Sequence, residues 1–90
     1  MKYVVHYSVI SDRAAELPVV FPRHKAYLDA FEPAHDIVGI GTFEDPVTNG
    51  SMAIFQTRES AERFIASDPF VVEGLVAPGA ILAWDARLTE

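Results

Sequence analysis

The sequence has no cysteine, which rules out both a disulfide framework and a thiolate metal site. Basic residues are scarce: 7 Lys and Arg stand against 13 Asp and Glu, for a formal charge of −6. Nucleic acid and anionic membrane surfaces both select a basic footprint, so neither is expected as a partner. Long hydrophobic runs are missing too. The apolar start, Met1 to Val5, is broken at once by His6 and Ser8, too soon for a signal peptide or a membrane span. A soluble cytoplasmic protein is the expectation. Neither the phosphate-loop nor the dinucleotide glycine pattern occurs, and no Gly-x-Ser-x-Gly elbow surrounds Ser51. His6, His24 and His35 do not have the spacing of a helical metal pair, so no metal and no cofactor is expected.

What remains is a short chain with much apolar surface. Its 90 residues suit one domain, residues 1–90, and 50% of them are hydrophobic. A body this small cannot hide so much apolar surface alone, which points to a second copy of the chain.

Tyr3 to Ile10 is rich in Val, Tyr and Ile and reads as a strand, with Tyr3, Val5, Tyr7 and Val9 on one face. The main helix is expected over Pro18 to Glu32. Pro22 suits a first turn, and the helix start is left open between Pro22 and a few residues earlier. Val20, His24, Leu28 and Phe31 (i, i+4, i+8, i+11) make one helical stripe, so His24 faces the core side. Pro33 ends the helix. Asp36 to Phe43 reads as a second strand whose Gly39 and Gly41 suggest a bulge or a close approach. Glu44 to Gly50 is a turn-rich loop, and Ser51 to Gln56 a third strand. Thr57 is an N-cap candidate for a short helix that buries Ala61, Phe64 and Ile65. Phe70 to Val76 reads as a short helix or turn, and Ala80 to Leu88 as the last strand, carrying Trp84.

The order β-α-β-β-α-β predicts an α+β, ferredoxin-like fold, a four-stranded antiparallel sheet with its helices on one face. Met52 and Ile54 face one way along the third strand, and Ala53 and Phe55 the other. The side away from the helices is therefore also apolar, and a homodimer packed sheet on sheet is expected to cover it. Trp84 belongs to the core or to that interface.

Two polar residues stand out. His24 on the long helix and Asp68 far downstream make a carboxylate–imidazole pair if the fold joins them, the usual means of proton transfer. Each also has a plainer role. His24 suits a half-buried helical histidine bonded to a carbonyl. Asp68, followed by Pro69, has the chemistry of an N-cap. The roles are compatible, since one carboxylate oxygen can cap while the other faces His24. Tyr7 could place a hydroxyl near His24 if its face turns to the helices; otherwise it is a strand aromatic with a wet hydroxyl. Ser51 is a weaker hydrogen-bonding candidate and suits a turn.

Several pieces, taken in order, resemble the YCII-related domain family, small proteins of the dimeric α+β barrel type. They are Tyr3-Val4-Val5-His6-Tyr7, Pro22-x-His24-x-x-Tyr27-Leu28, Gly41, Gly50-Ser51, Ser67-Asp68-Pro69-Phe70-Val71, Gly74-Leu75-Val76 and Trp84. The resemblance covers nearly the whole chain. It implies a ferredoxin-like dimer with a His–Asp pair in a cleft, carried here by His24 and Asp68. One member type is a dehydrochlorinase of a chlorinated hydroxyhydroquinone. The chain departs from the pattern where the family commonly has Arg three residues before the helical His. Phe21 stands there, and Arg23 directly precedes His24. If that Arg holds a substrate, the role is lost or has moved to Arg23.

Two readings of function follow. In the first, His24 oriented by Asp68 moves a proton on a small cyclic or aromatic compound, in an elimination or isomerisation that needs no cofactor; Tyr7, Arg23, Ser51 and Phe70 bind the substrate. In the second, the same cleft is a non-catalytic binding or accessory site, favoured by the Phe21 departure.

Overall fold

The computed structural model describes residues 1–31 and 36–87. Strand β1 (Lys2–Val9) is central, because its alternation buries Val5 and Tyr7 under the helices. It pairs antiparallel with β3 (Ser51–Phe55), setting Tyr3 against Phe55 and Tyr7 against Ser51. β2 (Ile37–Thr42) lies outside β3, and β4 (Val76–Pro78) lies on the other side of β1. The order β2-β3-β1-β4, with interleaved helices, is the ferredoxin-like βαββαβ topology. β5 (Leu82–Trp84) also pairs with β1, further toward its N-terminus, so β4 and β5 act as one edge strand in two pieces.

The last strand therefore begins at Val76 and not at Ala80, and breaks between Pro78 and Leu82. At the break Gly79 N donates to His6 O at 2.7 Å, and a β-carbon on Gly79 would lie 3.1 Å from that oxygen. The part of the expected strand at Leu88 lies outside the described residues. The sheet is open, with β2 and the β4/β5 pieces as edges, and does not curl into the barrel that the family resemblance implies.

Between β1 and the long helix comes a 3-10 helix, Ser11–Glu16. Arg13 holds it by bonding both Glu16 oxygens at 2.7 Å and donating to Glu73 O at 2.9 Å. Helix α1 (Leu17–Ala30) follows directly. Pro18 takes the first-turn position, where a missing N–H costs nothing, and Pro22 is inside the helix. The C-terminal residue Phe31 is extended; Pro33 lies outside the described residues. The expected loop before β3 contains a single helical turn, α2 (Pro46–Asn49), entered through Asp45 in the left-handed region. Helix α3 (Arg58–Ser67) starts as expected, Thr57 Oγ1 accepting from Ser60 N at 3.0 Å. After α3 comes a four-residue turn of helix, α4 (Pro69–Val72), and Gly74 at φ 75 turns the chain into β4.

The packed half of the core lies under α3. Phe64 is fully buried and meets Phe55, Phe31 and Tyr27 with ring centroids 5.6, 5.2 and 5.1 Å apart. Such edge and tilted contacts add to area burial. Tyr27 Oη donates to Phe64 O at 2.9 Å and so ties α1 to α3. On the opposite face of the sheet, Val4 sits between Ile54 and Leu82 across the strands. Leu82 is 54% and Trp84 40% exposed there, so Trp84 is not core within the chain. Among the described residues no helix is long and apolar enough to cross a membrane.

Candidate functional site

The other end of the sheet is hollow. A cavity of about 700 Å³ lies under the N-terminal half of α1, and small residues, Gly41, Gly50 and Ser51, are among its lining. Leu17, Phe21, His24 and Leu28 (i, i+4, i+7, i+11) form its helical wall. Tyr7, Val9, Ile40, Thr42, Ser51 and Val76 supply the sheet side, and Asp68 and Phe70 close one end.

Gly50 fixes the floor. It has φ 78, and a β-carbon there would sit 2.0 Å from Tyr7 O, so only glycine allows the chain to enter β3 against β1. Ser51 then pairs with Tyr7 on one side and Thr42 on the other, which brings three hydroxyl-bearing side chains into the cavity lining.

Separated by 44 residues, His24 Nδ1 and Asp68 Oδ1 lie 2.8 Å apart. Their side chains are 15% and 4% exposed. Asp68 is held by its own backbone: its N–H donates to Phe64 O at the end of α3, and Oδ1 accepts from Phe70 N at 3.1 Å to cap α4. Phe70 stacks on the His24 ring with centroids 4.3 Å apart and 15° between planes. A carboxylate accepts and does not donate, so Nδ1 carries the proton, and Nε2 of the neutral ring carries the lone pair. Nε2 has no hydrogen-bond partner among the described residues.

Tyr7 is 6% exposed, and its hydroxyl is buried without a partner among the described residues. Burial first, and the Asp68 charge second, push its pKa well above the ordinary tyrosine value. Its ring faces the helices, so the wet strand-aromatic alternative does not hold.

Arg23 is elsewhere. It reaches Glu73 at 3.4 Å, its side chain is 58% exposed, and it does not line the cavity. Its neighbours on the helix, Phe21 and His24, occupy the inward arc. Sequence reasoning missed Leu17, Phe21, Ile40 and Thr42. The stripe Leu17-Phe21-His24-Leu28 was a readable signal; it runs beside the Val20-His24-Leu28-Phe31 stripe and shares two members with it. Thr42 follows only from the β2–β3 register. Among the described residues no three of histidine, aspartate and glutamate gather as a metal site requires. His35 lies outside the described residues.

No family model matches the chain, and no curated protein matches it. The resemblance to YCII-related domains is corrected accordingly. The quoted residues occur in order, but the open sheet differs from that superfamily's barrel. The His–Asp pair rests on its own geometry.

Proposed function

We propose that the cavity under α1 is the active site of a cofactor-free acid–base enzyme. His24 Nε2 takes a proton from a small, largely apolar cyclic or aromatic compound and returns it in an elimination or isomerisation. One observation carries the reading: the 2.8 Å bond from His24 Nδ1 to a buried Asp68 leaves Nε2 as the free base in a ligand-sized cavity. Asp68 fixes the tautomer and offsets the imidazolium charge that forms, and Phe70 holds the ring plane. Tyr7 and Ser51 contact the substrate from the sheet side.

The alternative, a non-catalytic binding site, was favoured by Phe21 replacing a family arginine, and no matching family now supports that comparison. A turnover screen on hydroxyquinols, lactones and quinones tests the enzyme reading. Activity that persists in His24→Ala removes His24 from its role.

Separately, we propose that a second copy of the chain packs on the far face of the sheet. The row Ile54–Val4–Leu82, with Trp84 beside it, is apolar and continuous across three strands. Light scattering at micromolar concentration checks this, and a monomer overturns it.

A further inference from the structure

We propose that the Tyr7 hydroxyl donates a hydrogen bond to a carbonyl oxygen of the ligand, and that the cavity selects neutral, hydrophobic ketones over carboxylates. This rests on the acid–base reading and names its substrate class.

The argument starts from an unmet donor. Tyr7 Oη is buried in the wall of the cavity that His24 and Asp68 also line, and no described residue accepts from it. Folding leaves such a group unpaired only at a cost, and sites that bind ligands are where such costs are kept. Burial keeps the hydroxyl protonated, so it stays a donor at any pH where His24 acts as a base.

The lining decides the ligand's charge. Among the described residues, none of the lining side chains is lysine or arginine. The one carboxylate, Asp68, already accepts from His24 and Phe70 N. A ligand carboxylate would lose its water beside Asp68 without a permanent cation in return. A ketone brings an acceptor and no charge, which suits Tyr7 and Ser51, and its hydrocarbon part meets Leu17, Phe21 and Ile40.

The chemistry balances without a further reactant. His24 Nε2 takes a proton from the carbon next to the carbonyl. The C–H pair becomes a carbon–carbon π bond, and the C=O π pair moves onto oxygen, where the Tyr7 hydrogen bond strengthens as charge grows. Where a β,γ double bond is conjugated with the enolate, return of the proton at the γ carbon re-forms the C=O and gives isomerisation. Where the β carbon bears a leaving group, the C=O re-forms, an α,β double bond is made, and the group departs with its bonding pair and takes the proton from His24, which gives elimination. Because Oη is closed to solvent, side chains at the cavity wall must shift for the carbonyl to reach it.

Three probes of one shape test the proposal: 2-acetylnaphthalene, 2-ethylnaphthalene and 2-naphthoate, titrated into the full chain and into Tyr7→Phe and followed by NMR. The wild type is expected to bind the ketone about 5- to 10-fold tighter than the ethyl compound, the value of one neutral hydrogen bond, and to bind the naphthoate more weakly than the ketone. Tyr7→Phe erases the ketone preference and leaves 2-ethylnaphthalene binding in place, which shows that the cavity is still formed. The proposal is overturned if the preference survives in Tyr7→Phe, if the naphthoate binds tightest, or if no probe saturates. Exchange of the ketone's methyl protons with D2O reads His24 separately. Exchange that persists in His24→Ala sinks the acid–base assignment, while the binding contrast at Tyr7 is judged on its own.

Discussion

Asp68 Oδ1 accepts two hydrogen bonds, from His24 Nδ1 at 2.8 Å and from Phe70 N at 3.1 Å. The helix cap and the histidine partner are therefore one atom, where the expectation divided the roles between two oxygens. Pro69 follows in the first helical position and sets the turn that aims Phe70 N at the carboxylate. The side chain that orients His24 thus cannot rotate without also uncapping α4.

This shared oxygen separates two substitutions. Asp68→Asn keeps a carbonyl oxygen for both donors and loses the charge; it is expected to cost about 1 kcal/mol in urea unfolding. Asp68→Ala leaves both donors unpaired and is expected to cost about 2–3 kcal/mol. Both should depress any turnover that depends on His24. Equal stability losses for the two variants would show that the oxygen has no such double role.

Gly50→Ala tests the hollow end of the sheet. The new methyl would meet Tyr7 O at 2.0 Å, with the backbone already at φ 78. Strain of that kind costs about 1–3 kcal/mol for the backbone alone, and the clash adds to it. We expect a loss of at least about 3 kcal/mol and weaker ligand binding, since Tyr7 and Ser51 must move apart. Unchanged thermal unfolding would mean that β3 does not enter the sheet through this contact.

Ser60 is a third test, away from the cavity. It is 2% exposed; its hydroxyl lies 2.7 Å from Thr57 Oγ1 and 2.5 Å from Asp36 Oδ2. It thereby fastens the start of β2 to the first turn of α3. Ser60→Ala is expected to cost about 1–3 kcal/mol through the groups it leaves behind, with ligand binding unaltered. A ligand-affinity change as large as the stability change would tie this cluster to the cavity after all.

The sequence was most readable where one period ruled. The alternation in β1 and the helical stripe through Val20 gave the correct buried faces, and Thr57 and Asp68 carried their capping roles in their own chemistry. Nothing local joins His24 to Asp68 across 44 residues; the topology does. The misreadings lie where tertiary contacts overrule local signals. Ser11-Asp12-Arg13 is polar and carries no periodic signal, yet Arg13 bonds to Glu16 and Glu73 and holds a 3-10 turn there. Pro78-Gly79 has the chemistry of a turn ahead of the strand expected from Ala80, yet Pro78 pairs with Tyr7 inside a strand. Arg23 adjoins His24 in sequence, but adjacent helical residues point about 100° apart, which sends it to Glu73.

Tyr7 gives the last prediction, in two parts. Tyr7→Phe removes a buried hydroxyl that has no partner among the described residues, so the variant should be more stable than the wild type by about 1 kcal/mol. In a domain of this size that is a rise of about 4–8 °C in Tm. The second part is pH. In the unfolded chain Tyr7 loses its proton near the ordinary tyrosine value of about 10, while the folded chain holds it to higher pH. Above that value the folded state binds more protons than the unfolded state, so stability falls as pH rises, by about 1.4 kcal/mol per pH unit for one such group. Below it the slope vanishes. Tyr27, raised mainly by burial, acts with the same sign. Urea unfolding from pH 8 to 11 should therefore show a shallower alkaline decline in Tyr7→Phe than in the wild type. Identical declines would mean that the Tyr7 hydroxyl is not buried as described, and the ligand contact proposed for it would lose its footing.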